Sequence, residues 1–177
     1  MRRLLWALAA LLLAGCLELE LPRGAATGGE TLSGRVVGVA DGDTLTLLDD
    51  SLHEHKVRLA YVDAPEKAQA YGSAAKLRLS ALVYGRAVRA EVIEVDRYQR
   101  AVARIWQDGQ DINLMMLREG FAWHYRQYTR TQSDAEFAQY QDAETAARAE
   151  HMGLWQGQRP QAPWDYRRER RAHGQRG

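Results

Sequence analysis

The sequence predicts an α+β fold: a small five-stranded β-barrel carrying three helices. Two features of the patterning predict it. Apolar residues recur at strand spacing in five segments, separated by turn residues. Helical spacing with cap residues appears once between the third and fourth of these segments and twice after the fifth. A chain of 177 residues with 46% hydrophobic and 27% charged residues has room for one compact domain with short appendages, and its composition excludes wholesale disorder.

Residues 1–15 stand apart from the domain. Arg2 and Arg3 precede an uncharged apolar run, residues 4–13. A mature membrane span needs about 20 apolar residues, so this run fits an export signal instead. Leu13-Ala14-Gly15-Cys16 resembles a bacterial lipobox. That resemblance implies a lipoprotein signal peptide over 1–15, cleaved before Cys16, with lipid on the cysteine. A plain export signal beside a chance cysteine is the alternative. Cys16 is the only cysteine, so no disulfide forms within the chain. Several acyl chains on one residue would anchor the protein to a membrane permanently. Residues 16–30, with Pro22, Gly24, Gly28 and Gly29 and no periodicity, read as a flexible tether.

The domain itself is expected over 31–157. Residues 32–48 are β-like, with Val36, Val37, Val39, Leu45 and Leu47 interrupted by Asp41-Gly42-Asp43. Residues 56–62 form a further strand, stopped by Pro65, which has no N–H to give to a ladder. A helix over 73–84 places Ala74, Leu77, Ala81 and Val83 or Tyr84 on one face, and Gly85 ends it. Strands follow at 87–95 and 100–106, then an Asp108-Gly109 turn and a short helix over 112–119 ended by Gly120. Ser133-Asp134-Ala135-Glu136 is a capping box opening a helix to about residue 152, with Phe137, Tyr140, Ala147 and His151 on one side. An OB-fold-like barrel is the small β-barrel that best suits this order. Residues 158–177 form a basic C-terminal tail, six arginines against Asp165 and Glu169 with Trp164 and Tyr166 between them. Such a tail either binds phosphates or is a solvated arm.

Charge limits the possible partners. Residues 1–15 hold two of the 24 basic residues and none of the 23 acidic ones, leaving a mature chain near −1. Any polyanion site must be local. There is no Walker loop, HExxH, cysteine pair or Gly-x-Ser-x-Gly elbow. His53 and His55 read as exposed hairpin histidines, with a metal pair as the alternative. What remains is a set of acids and arginines: Asp43 after a turn, Arg58 on a strand, and Asp63 and Glu66 about Pro65. Hard cations such as calcium are held by carboxylates, carbonyls and water. Phosphodiester hydrolysis needs a positioned water, a base and donors around the phosphorus.

In combination these segments resemble a family. Residues 39–44 (VADGDT), 58–66 (RLAYVDAPE) and 96–100 (DRYQR) are similar, in order, to the three signature segments of staphylococcal nuclease homologues. Asn113-Leu114 with residues 118–122 matches a fourth, and Gly153-Leu154-Trp155 with Pro163-Trp164 resembles the ending of bacterial members. The resemblance implies a calcium-dependent endonuclease that hydrolyses DNA and RNA to leave 3′-phosphate ends. It implies Asp43, Asp63 and the Ala64 carbonyl as Ca2+ ligands, and Arg58, Glu66 and Arg100 as catalytic residues. Asp41 would be an outer acid near the metal. Tyr98 and Tyr128 would bind substrate by stacking, or simply pack.

Three departures accompany this. The family's namesake has threonine at the position of Ala64, Gln99 stands where glycine is frequent, and residues 65–71 form a shorter segment. With its acids and arginines present, the chain reads as an active enzyme; the alternative is a catalytically weak nucleic-acid-binding module on the cell envelope. A surface lipoprotein whose tail binds envelope polymers is a third reading. The expected setting is an exported, monomeric cell-envelope lipoprotein, in the outer membrane if the source has one.

Overall fold

A computed structural model describes residues 29–174, without the side chains of Tyr128 and Thr129. The signal peptide, Cys16 and all of the tether except residues 29 and 30 lie outside the described residues. Five strands build the barrel: β1 (Thr31–Val39), β2 (Thr44–Leu48), β3 (Glu54–Leu59), β5 (Ala87–Val95) and β6 (Ala101–Gln107). They run in the order β3-β2-β1-β5-β6, and a parallel pairing of β3 with β6 (Val57↔Ala101, Leu59↔Ala103) closes the ring. Bulges at Val36/Gly38 in β1 and Val92/Glu94 in β5 supply the extra bend that closure requires. Val36, Leu45, Leu47, Val57, Ala90 and Ile105 point inward and are essentially water-free. The OB-fold-like α+β expectation holds.

Between β3 and β5 the chain adds β4 (Val62–Asp63) and α1 (Gly72–Val83). The reading of residues 56–62 as one strand is corrected here. The chain leaves β3 at Leu59, turns at Tyr61 with φ 63°, and starts β4 in a second sheet with β8 (Trp123–His124). Helix α1 buries Ala75, Leu79, Leu82 and Val83, whereas Leu77 and Tyr84 face solvent. The expected face was therefore rotated, because two apolar series compete along this helix. The one with small Ala75 wins since it fits against the turn at Gly42.

After β6 come β7 (Gln110–Asp111), α2 (Ile112–Arg118), β8 and α3 (Asp134–Ala149). Asn113, fully buried, ties the barrel shut: its amide donates to Ala60 and Ala103 carbonyls (3.0 Å each) and accepts from Ile105 N–H (3.1 Å). The capping box at Ser133 and Glu136 forms as expected. Tyr140, Ala143, Glu144 and Ala147 make the inner face of α3, while His151 lies exposed beyond its end.

The main correction is a fourth helix. Pro163–Gly174 forms α4, so the basic segment is neither a free arm nor without specific contacts. Trp164 packs edge-on to Trp123 (5.6 Å) and stacks on Tyr125 (5.3 Å, 14° between planes). Tyr166 donates its hydroxyl to the Ala68 carbonyl (3.2 Å), and the Gln69 amide reaches the Gln161 carbonyl (2.6 Å). These contacts lay α4 across the loop that follows β4.

Candidate active site

The floor of the site begins at the Asp41-Gly42-Asp43 turn. The Asp41 carboxylate accepts the Asp43 N–H (3.1 Å), closing the turn on itself. A Cβ on Gly42 would sit 2.6 Å from the Cβ atoms of Ala64 and Ala75, so only glycine lets the turn press this close. The close approach sends Asp43 inward, where it is 4% exposed. Its Oδ2 accepts the Ala64 N–H (3.0 Å) and its Oδ1 accepts Thr44 Oγ1 and Arg58 Nη1 (3.0 Å each).

Asp63 arrives from β4 and is completely buried. Arg58, across the corner at Tyr61, donates Nη2 to Asp63 Oδ1 (2.9 Å), so one guanidinium fork joins both aspartates. Burial opposes the Arg58 charge, but Asp43 and Asp63 outweigh it and raise its pKa above the usual arginine value. Burial pushes Asp63 up, with Asp43 adding to the rise while Arg167 and Arg58 oppose it. Asp41 is raised to about 6 by burial and then by the Asp43 charge.

Glu66 stands at the mouth, its N–H bonded to Gln69 Oε1 (3.1 Å). A Cβ on Gly72 would lie 2.0 Å from the Glu66 carbonyl oxygen, so α1 starts directly against this loop. Arg167 of α4 also reaches the floor. Its Nη2 and Nη1 donate to Asp63 Oδ2 and Oδ1 (2.7 and 3.1 Å), and Nη1 donates to Glu66 Oε1 (2.8 Å). Sequence reasoning missed this residue. It stands 104 positions from Asp63, and only the cluster of arginines among aromatics hinted that the segment had a binding role.

The facing wall is the 96–100 turn between β5 and β6. Asp96 accepts the N–H groups of Tyr98 (2.8 Å) and Arg100 (3.0 Å), and grips the Arg100 guanidinium at 2.7–2.8 Å. Gln99 holds φ 61°, the conformation for which glycine is common, at a cost of about 1 kcal/mol. Tyr98 is 64% exposed, with Arg97 and Arg100 over its ring at 4.9 and 5.5 Å. Tyr128 lies in the short 3-10 helix Arg126–Thr131, but its side chain is outside those described.

Together these parts enclose an open cleft of about 800 Å³. Asp41 and Asp43 line its floor, Glu66 its mouth, Arg97, Tyr98 and Arg100 one wall, and Arg167, Arg168 and Arg171 of α4 the other. Asp63 lies beneath Arg58 and Arg167. A phosphate entering here meets guanidinium groups from three elements, each able to donate two parallel hydrogen bonds. His55 pairs with Asp49 (2.7 Å) in the β2–β3 hairpin and takes no part.

The donor set fits a hard divalent cation. Four carboxylates (Asp41, Asp43, Asp63, Glu66) face two guanidinium groups (Arg58, Arg167), leaving negative charge for a divalent ion. The donors are oxygens without sulfur or imidazole, as calcium or magnesium prefers. Among the described residues no group of three or more His, Cys, Asp or Glu side chains is arranged to hold a metal.

Comparison with known proteins identifies the family. The sequence model of the family described as staphylococcal nuclease homologue matches residues 56–157. The chain belongs to the staphylococcal nuclease family. The match includes Arg58, Asp63, Glu66 and Arg100; Asp43 lies before it and Arg167 after it. Among relatives, an uncharacterized endonuclease of Haemophilus influenzae is 44% identical over 135 residues, covering 76% of this chain and 72% of the relative. A micrococcal nuclease of Shigella flexneri is 39% identical over 144 residues, covering 76% and 80%. A probable staphylococcal-like nuclease of Oryza sativa is 38% identical over 118 residues, 67% of this chain but 34% of the relative. As a member of this family the chain is a nuclease, a hydrolase of phosphodiester bonds.

Proposed function

We propose that the chain is a calcium-dependent endonuclease that cuts DNA and RNA to leave 3′-phosphate ends, exported and tethered to a membrane through lipid on Cys16. The observation that carries the catalytic part is the convergence of Asp43, Asp63, Arg58 and Glu66 on one cleft, with Arg100 on the opposite wall. Asp43, Asp63 and the Ala64 carbonyl would hold the ion. Bound there, calcium would supply positive charge to the oxygens of the scissile phosphate.

The chain's own residues do the rest. Glu66, at the mouth of the cleft, holds the attacking water and takes its proton. The water oxygen bonds to phosphorus, and the 5′ oxygen leaves with the electron pair of its broken bond and takes a proton from solvent, giving a 3′-phosphate and a 5′-hydroxyl. Arg58 and Arg100 hold the phosphoryl oxygens and stabilise the added charge of the five-coordinate transition state without losing a proton. Tyr98, exposed beside Arg100, offers a flat face to a base of any identity. Tyr128 is assigned the same role by family resemblance.

The tether rests on the lipobox-like residues 13–16; Leu17 after the cysteine, in place of an aspartate, favours the outer membrane if the source has one, and a monomer is the default state. The experiment is cleavage of end-labelled single-stranded DNA and RNA, with calcium and then with chelator, followed by analysis of the product ends. Calcium-dependent cutting to 3′-phosphates is expected. Cutting undiminished by chelator, or 5′-phosphate products, would overturn the cation or the bond assignment respectively. Mass spectrometry of the membrane-extracted protein should show an acylated N-terminal Cys16; an unmodified cysteine would remove the tether.

A further inference from the structure

Arg167 makes its contacts where a metal ion would make its own. Its fork takes both oxygens of Asp63 (2.7 and 3.1 Å), and the same guanidinium bonds Glu66 at 2.8 Å. Asp63 is completely buried and lies beneath Arg58 and Arg167. A buried carboxylate without a cation is costly, so some positive group must stand against it.

We propose that Arg167 is a competing cation for the acidic floor: its guanidinium and a divalent ion take the Asp63 oxygens in turn, so that α4 sets how tightly the site holds its metal. The inference rests on the calcium reading given above. The docking of α4 makes the competition effective. Trp164 against Trp123 and Tyr125, and Tyr166 on the Ala68 carbonyl, hold the helix over the loop that carries Glu66. Arg167 is thus presented to Asp63 at high local concentration. Arg167 also lies outside residues 56–157, the segment matched by the family model.

If Arg167 covers Asp63 about nine-tenths of the time, the apparent affinity for calcium falls about tenfold below that of the uncovered site. The test is calorimetric titration of the full chain in mild detergent with calcium chloride, comparing Arg167→Gln, Arg167→Lys and Arg170→Gln with the unaltered protein. Arg170 is outside the cleft, so Arg170→Gln is expected to leave affinity unchanged. Arg167→Gln is expected to bind calcium about tenfold more tightly, with Arg167→Lys in between, because lysine keeps the charge but loses the fork.

Thermal melting separates this from a structural role. In chelator, Arg167→Gln should melt several degrees lower, since Asp63 loses one of its two arginine partners; in saturating calcium, which displaces Arg167 in the unaltered protein, the gap should close. Equal affinity in Arg167→Gln and the unaltered protein, or an equal melting loss with and without calcium, overturns the proposal and leaves the calcium site standing. No calcium binding by any of these proteins overturns the proposal and the cation reading together.

Discussion

At the scale of single residues, the two walls of the cleft are organised by different carboxylates. On the floor, Arg58 bridges Asp43 and Asp63; on the facing wall, Asp96 collects two backbone N–H groups and the Arg100 guanidinium. Burial alone would raise the Asp96 pKa, but the Arg100 N–H, the Arg100 side chain and the Tyr98 N–H bring it below its ordinary 3.8. A carboxyl with a lowered native pKa stabilises the fold above its unfolded pKa, and that contribution is lost as pH falls through the native value. Asp96→Asn should therefore cost about 1 kcal/mol in urea unfolding at pH 7, and the gap should close as pH falls below about 4. A pH-independent gap would show that the charge of Asp96 is not what holds the turn. The same substitution should slow cleavage, because Arg100 loses the group that aims it.

At the scale of elements, α4 is the decisive piece. Trp164 anchors it between Trp123 and Tyr125, and this face continues into Trp155, which packs on Trp123 at 4.4 Å. Trp164→Ala should lower stability by about 2–3 kcal/mol and release the helix, measured as a lower thermal midpoint and faster proteolysis after residue 157. An unchanged midpoint would mean that α4 is not held as described.

The sequence was informative about elements wherever a local rule governs. Alternation marked the five barrel strands, the Ser133 box marked the start of α3, and Gly85 and Gly120 marked helix ends with φ 75° and 70°. It failed where a distant surface decides. The choice of buried face on α1 depends on the Gly42 turn, 33 positions before Ala75. The helicity of the basic segment depends on a tryptophan face formed by β8 and the chain after α3. The turn that splits β3 from β4 places non-glycine Tyr61 at positive φ, where no turn residue announced it.

For the whole molecule, the candidate site residues were legible because the resemblance rests on short segments that keep their order: Asp43, Arg58, Asp63, Glu66 and Arg100 all border or underlie one cleft. Arg167 was not legible, since nothing local distinguishes it from the other arginines of the basic segment. Among the described residues no helix is long and apolar enough to cross a membrane. With a charge near −1 over residues 16–177, affinity for a polyanion must come from this cleft and its arginine rim. Deleting residues 158–177 would expose the tryptophan face, so side-chain changes test the rim more cleanly. Arg168→Gln with Arg171→Gln should reduce the salt dependence of single-strand binding by about 0.7 for each phosphate no longer neutralised, measured by anisotropy across a salt series. An unchanged slope would place the substrate elsewhere.

The proposed hydrolysis in this cleft requires Glu66 to handle the water. Single-turnover cleavage of end-labelled single-stranded DNA by the unaltered chain and by Glu66→Gln, with oligonucleotide binding measured in parallel, puts that requirement to the test. The predicted result is a loss of about 10²–10⁴-fold in cleavage, with binding changed only slightly. Cleavage by Glu66→Gln at the unaltered rate would contradict it.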